Sequence, residues 1–259
     1  MKRKEEIKIT FLGTGTSSGV PLLTCSCATC LSKDVLDKRL RSSILISYKN
    51  KNLLVDIGPD FRQQMLRENI KEIDAVLITH SHHDHVAGLD EIRAYNFSMN
   101  KDIDFYANEI AEMELRKHFD YVFRTDKYPG IANVNIVSIR KEPFMVEGIE
   151  VIPVEVMHNK LPVAAFRIAD FAYVTDIKTI SHEEFEKLKG VKYLILSALR
   201  FEEHFSHFNY EEALAFVERL QVEKAYFTHL SHHFGKHKDL EKLIPDNISI
   251  AYDGMKIVL

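Results

Sequence analysis

A chain of 259 residues, 46% hydrophobic and 28% charged, has the make-up of a globular protein able to bury the core of one large domain or two small ones. Its formal net charge of -4 argues against a dedicated nucleic-acid binder, which carries a basic surface. No apolar run approaches the ~20 residues that cross a bilayer.

Three cysteines, at 25, 27 and 30, are odd in number and too close together for a disulfide framework. The charged N-terminus precedes a short apolar stretch with no cleavage-like site after it. Both features point to a reducing cytoplasm.

In chain order, residues 7–12 read as a first strand. It ends in Gly13-Thr14-Gly15-Thr16-Ser17-Ser18-Gly19, a loop whose glycines permit unusual backbone angles and close approach to a ligand. No Gly-Lys-Ser/Thr follows and no acidic residue stands at dinucleotide-fold spacing, which discounts a phosphate loop. Residues 43–48 and 52–57 form a hairpin about Lys49-Asn50-Lys51. Asp60 is placed to cap a helix over 61–68. The apolar run 75–79 is a buried strand, 91–98 a helix, 104–107 a strand and 109–118 a helix.

The second half repeats this grammar. Strands at 134–139 and 149–156 lead to a hairpin of 164–168 and 171–175 about Ala169-Asp170. Ser181 caps a helix near 183–189. A strand at 193–197, a helix at 210–220, a strand at 224–228 and a short helix at 237–243 follow, and strands about Asp253-Gly254 close the chain. No linker or low-complexity segment intervenes, so residues 1–259 read as one α/β domain of two packed sheets with helices outside. Asp56, His80, His158, Asp176, Ser197 and His229 all fall at strand ends, which brings them to one rim.

The densest chemistry is Thr79-His80-Ser81-His82-His83-Asp84-His85. In an extended segment residues i and i+2 share a face, so His80 and His82 can hold one ion together. Asp84 and His85 come after the chain turns and suit a second ion. His83 faces away and is not a ligand in this reading. Imidazoles with a carboxylate suit zinc, iron or manganese better than calcium or magnesium. His158, Asp176 and His229 each follow a core strand and supply the missing imidazoles and a carboxylate able to bridge two ions. Taken alone, Asp176 reads as a turn or cap residue.

His80-Ser81-His82-His83-Asp84-His85, followed by His158, Asp176 and His229, resembles the metallo-β-lactamase superfamily of binuclear hydrolases. The resemblance implies an αββα sandwich, two mixed β-sheets flanked by helices, with the site on one edge. It implies one ion on His80, His82 and His158, another on Asp84, His85 and His229, Asp176 bridging them, and Asp56 buttressing the motif loop.

Cys25-Ser26-Cys27-Ala28-Thr29-Cys30 offers three soft ligands and lacks a fourth. One of the spare imidazoles in His229-Leu230-Ser231-His232-His233 can complete a Cys₃His zinc set. With Val20-Pro21 before the cysteines and Tyr252-Asp253-Gly254-Met255 near the end, the chain is similar to the PhnP-type phosphoribosyl cyclic phosphodiesterases. That resemblance assigns His229 to the catalytic ions and His232, with Cys25, Cys27 and Cys30, to a structural zinc. It also implies that His207 approaches the leaving group, with His204 helping to bind phosphate.

The expectation is a metal-dependent phosphodiesterase acting on small or cyclic phosphodiesters. Two divalent ions, zinc or manganese with iron as a third candidate, lower the pKa of a bridging water and neutralise charge on the phosphoryl oxygens. His207 as imidazolium protonates the departing alkoxide. Asp84 and Asp176 are ligands, either of which can orient the nucleophile. The rivals are a tRNA 3′-processing endonuclease, whose basic, glycine-rich arm has no counterpart here, and a quinone-cofactor biosynthesis protein that shares the cysteine loop but departs from the ligand set. A flavodiiron-type oxidoreductase has Glu where His82 stands. A non-enzymatic metal-binding scaffold is the alternative outside enzymes. The expected partner is a small phosphodiester, with no membrane and no nucleic acid; the resemblance suggests a homodimer.

Overall fold

The computed structural model describes residues 6–126 and 128–259. Among these residues fifteen strands form two sheets. The first half supplies β1 (Lys8–Gly13), β2 (Ser43–Tyr48), β3 (Lys51–Val55), β4 (Ala75–Leu77), β5 (Ile103–Ala107) and β6 (Val134–Ser138). The second supplies β7 (Phe144–Val146), β8 (Ile149–His158), β9 (Leu161–Ile168), β10 (Phe171–Val174), β11 (Thr179–Ile180), β12 (Tyr193–Ser197), β13 (Lys224–Thr228), β14 (Ile248–Ile250) and β15 (Lys256–Val258). The helices are α1 (Phe61–Glu68), α2 (His83–Val86), α3 (Arg93–Met99), α4 (Glu109–His118), α5 (Asp120–Phe123), α6 (His182–Glu186), α7 (Tyr210–Leu220) and α8 (His237–Leu240). Among the described residues no helix is long and apolar enough to cross a membrane.

The seven-stranded sheet runs β15-β1-β2-β3-β4-β5-β6, and the eight-stranded sheet runs β11-β8-β9-β10-β12-β13-β14 with β7 beside β8. Each begins with antiparallel ladders and ends with three parallel ones. The layering follows from side-chain alternation along the strands. Ile44, Ile46, Leu53 and Val55 face Phe166, Tyr173, Ile195 and Tyr226 across the interior between the sheets. Leu45, Leu54 and Val76 point the other way, beneath α1, α3 and α4. Val174, Leu194 and Phe227 do the same beneath α6 and α7. Two mixed sheets flanked by helices is the αββα sandwich expected.

Several local expectations change. Asp60 precedes α1 but makes no side-chain cap; its carboxylate accepts instead from the Arg41 backbone N–H at 2.8 Å and pairs with the Arg41 guanidinium at 3.1 Å. The strand expected to reach residue 79 stops at Leu77, because Thr79 leaves the first sheet and its carbonyl accepts the Ala164 N–H of the second, at 2.8 Å. The segment 91–98 divides into a 3₁₀ turn, Leu89–Ile92, and α3. The closing strands lie in different sheets, β14 beside β13 and β15 beside β1. The glycine-rich loop makes its close approach to backbone: a Cβ on Gly13 would stand 1.9 Å from the Arg41 carbonyl oxygen. Thr16 N–H and Leu230 N–H bond across from this loop to the segment that carries His229.

A candidate metal centre at the strand ends

The carboxyl ends of the parallel strands meet along one rim, where open α/β sheets place their sites. Asp56 follows β3, Asp176 follows β10 and His229 follows β13. All three have left-handed backbones, with φ of 62°, 54° and 58°. Such conformations cost about 1–3 kcal/mol each and persist where surrounding structure enforces them. Here they turn each side chain off its strand and into the same space. Gly58 lets α2 dock: a Cβ there would lie 2.1 Å from the Asp84 carbonyl oxygen.

Asp56 is fully buried and organises the motif. One carboxylate oxygen accepts the Thr79 N–H at 2.8 Å. The other accepts the Thr79 hydroxyl at 2.9 Å and His85 Nδ1–H at 2.6 Å. Because the Thr79 hydroxyl donates to Asp56, its oxygen is left to accept from His80 Nδ1, 3.0 Å away. His158 Nδ1–H donates to the Ser206 carbonyl at 2.8 Å. In all three rings the outer nitrogen is occupied, so Nε2 is the nitrogen offered to the centre, a common arrangement for metal-binding imidazoles.

Those nitrogens converge on Asp84 and Asp176. His85 Nε2 is 3.1 Å from Asp84 Oδ2 and 3.4 Å from Asp176 Oδ2. His229 Nε2 is 3.7 Å from Asp84 Oδ2 and 3.3 Å from Asp176 Oδ1. Asp176 thus turns one oxygen to His85 and the other to His229 and to His207, whose Nδ1 is 3.5 Å away. His80 Nε2 and His82 Nδ1 approach to 3.0 Å, and the His82 and His158 rings lie 5.3 Å apart. Three ligand groups are tight enough to hold an ion: His80, His85 and Asp176; Asp84, His85 and His229; and His158, Asp176 and His207. Six of the seven expected ligands enter these groups; His82 enters none of them and stands against His80 Nε2 instead, while His207, not expected as a ligand, enters one. His83 points out and meets His118, with ring centroids 5.6 Å apart.

The electrostatics fit a cation. Burial raises the Asp84 and Asp176 carboxyls, yet the imidazoles around them outweigh it and hold both well below the usual carboxylate range. Burial opposes charge on His85, but Asp84, Asp56 and Asp176 outweigh it and favour positive charge there. Burial depresses His80 far below an ordinary histidine and pulls His207 down to about 3. His85 Nε2, His207 Nδ1 and both nitrogens of His229 are buried without a hydrogen-bond partner. Leaving such atoms unpaired costs about 1–3 kcal/mol each, and divalent ions supply what they lack.

A second cluster lies on the loop before β2. His232 Nδ1 is 3.4 Å from both Cys25 Sγ and Cys27 Sγ, and with Cys30 the four ligand atoms form one compact group. The His232 contact draws the Cys27 thiol down to about 6, while burial pushes Cys30 up to about 11. The donor set matches a closed tetrahedral zinc site. His204 stands beside the main centre, its ring 5.1 Å from that of His207; its Nδ1 accepts the Ser206 N–H at 3.3 Å. Thr79 and the Ser206 carbonyl are the supporting groups that motif reasoning did not assign. The threonine at least stands beside the motif in sequence, whereas a backbone carbonyl leaves no signal there.

Residues 51–230 match the model of the beta-lactamase superfamily domain. An octanoyltransferase of Porphyromonas gingivalis is 38% identical over 251 residues, which are 96% of this chain and 51% of that protein; the chain spans about half its length. A ribonuclease Z of Nanoarchaeum equitans is 25% identical over 210 residues, 70% of this chain and 66% of that one. Among solved structures, a diphosphatase from the PhnP family superposes with a TM-score of 0.92 at 37% identity, covering 98% of this chain and 97% of that one. The chain belongs to the metallo-β-lactamase superfamily and is PhnP-like within it, with a fold that implies divalent-metal binding.

Proposed function

We propose that the chain is a phosphodiesterase for small or cyclic phosphodiesters, working with two divalent ions, zinc or manganese. The observation that carries this reading is a histidine, His207, packed against the central carboxylate of a His/Asp cluster in which the His80, His85 and His158 rings are already oriented. His80, His82 and His158 would hold one ion and Asp84, His85 and His229 the other, with Asp176 available to both. Such a pair supplies water activation at neutral pH and positive charge for the phosphoryl oxygens.

The chain's own residues do the rest. Asp56 sets His85 directly and His80 through Thr79, so one buried carboxylate orients imidazoles of both ligand sets. The Ser206 carbonyl aims His158. His207 carries the proton for the leaving oxygen. Burial lowers its pKa, and His229, His158 and His204 add to that beyond what Asp176 offsets; an anionic phosphoryl group beside it shifts the balance towards imidazolium. His204, with its proton on Nε2, donates to a phosphate oxygen.

The test is a screen of protein loaded with manganese or zinc against bis-p-nitrophenyl phosphate, a cyclic phosphodiester, a lactone and a thioester. Diester turnover is expected. Turnover of the lactone or thioester with none of the diesters overturns the reading. The PhnP-family relative is described as a diphosphatase, which favours hydrolysis of a P–O–P bond as a second reading; a dinucleoside diphosphate added to the screen separates the two.

A further inference from the structure

We propose that Phe205 is a stacking platform for a planar ring carried by the substrate, so that the centre takes phosphodiesters bearing a nucleobase or a comparable flat group. The inference rests on the phosphodiesterase reading of this centre and extends it from the bond broken to the group attached. Phe205 is 73% exposed, and a loose loop is the ordinary account of an aromatic ring left in water. This loop is tied down. Leu199 N–H bonds to the Phe208 carbonyl at 3.0 Å and Tyr210 N–H to the Arg200 carbonyl at 2.9 Å, closing its base. The Arg200 guanidinium donates to the Glu202 and Glu203 carbonyls at 3.3 and 2.9 Å, bracing it from within. On the other side of Phe205, His158 holds the Ser206 carbonyl at 2.8 Å.

The ring is also joined to the centre by successive ring contacts. The His207 ring lies 5.2 Å from His229 and 4.3 Å from His158. The His204 ring lies 5.1 Å from that of His207, and the Phe205 ring 4.7 Å from that of His204, with its plane 34° from the imidazole. His204 Nδ1 accepts from Ser206, which leaves Nε2–H free to donate to a phosphate or sugar oxygen. A phosphoryl group between Asp176 and His207 therefore meets a polar donor one ring out and an apolar aromatic face two rings out. Anion site, polar donor and flat apolar face follow the order of phosphate, sugar and base in a nucleotide. Every base presents a π-face, so an exposed aromatic side chain recognises the class without reading its identity.

Calorimetry on the manganese-loaded protein compares adenosine 5′-monophosphate with ribose 5-phosphate, two ligands that share phosphate and sugar and differ by the ring. The nucleotide is expected to bind roughly tenfold tighter. Phe205→Ala should erase that preference and Phe205→Trp should retain it. Equal affinities in the unmodified protein overturn the proposal, as does a preference that survives Phe205→Ala. A fall in oligomeric state on Phe205→Ala with the preference unchanged also overturns it, by making the ring a subunit contact. Turnover of bis-p-nitrophenyl phosphate by the same preparations reports separately: its absence removes the phosphodiesterase reading, while the affinity comparison still decides the role of Phe205.

Discussion

Thr79 does two things with one hydroxyl, donating to Asp56 and accepting from His80. Thr79→Val keeps the shape and removes both bonds. Metal affinity, measured by competition with a chelating dye, should fall ~10–100-fold, and Thr79→Ser should restore most of it. His207 poses a sharper question, because it belongs to a compact group with His158 and Asp176. If it is the proton donor, His207→Ala lowers kcat by about 10²–10⁴ with the metal content measured by elemental analysis unchanged; a fall in metal content makes it a ligand instead. The residues from His80 to His85 were legible because five chemically matched side chains lie within one short run. His158, Asp176 and His229 were legible only together, as polar residues just past apolar strands. Their left-handed backbones have no counterpart in residue type, since none of the three is glycine.

At the scale of the element, the long periodic segments match expectation: α4, α7, β12 and β13 begin and end where side-chain pattern and capping place them, with Asn209 and Glu212 forming a reciprocal cap on α7. The strands β7 and β11, three and two residues long, are too short for a period to register and form because β8 offers an edge. α2 was read as a bare turn because Asp84 and His85 were assigned as ligands rather than helix positions, and its start carries no side-chain cap. The cysteine loop gains little from burial, since Leu23, Leu31 and Val35 on it are largely exposed, so a zinc on its four donors would be its main tie. Cys30→Ser or His232→Ala should reduce about three ions per chain to about two, and lower the thermal midpoint, since a structural ion contributes directly to folding. Loss of diester turnover without loss of an ion would contradict a structural role.

For the molecule as a whole, acid stability depends partly on carboxylates far from the centre. Burial raises the Asp74 carboxyl, but the Asn52 N–H, Lys51 and Lys101 outweigh it and hold it below the usual range. The folded state then binds fewer protons than the unfolded one, so this contribution is present above an ordinary carboxyl pKa of about 3.9 and fades as pH falls through the lower folded value. Asp74→Asn should be destabilised at pH 7 in urea titrations, with the difference from the unmodified protein shrinking below about pH 4. A groove of about 840 Å³ between α4, β6, β8, β9 and α6 is lined by none of the clustered histidines, so volume alone does not mark the chemistry here. The two-sheet layering was legible from alternation. The membership of the last strands was not, because a three-residue strand carries no mark of which sheet will accept it. That membership bears on biogenesis. The β1 ladder joins Lys8 to Val258, so β1 must wait for β15 before this ladder can form. Until then a growing chain exposes an unpaired edge at β1, and slow synthesis leaves that edge open to misassembly for longer. A cluster that needs His229 likewise assembles only after β13 has been made.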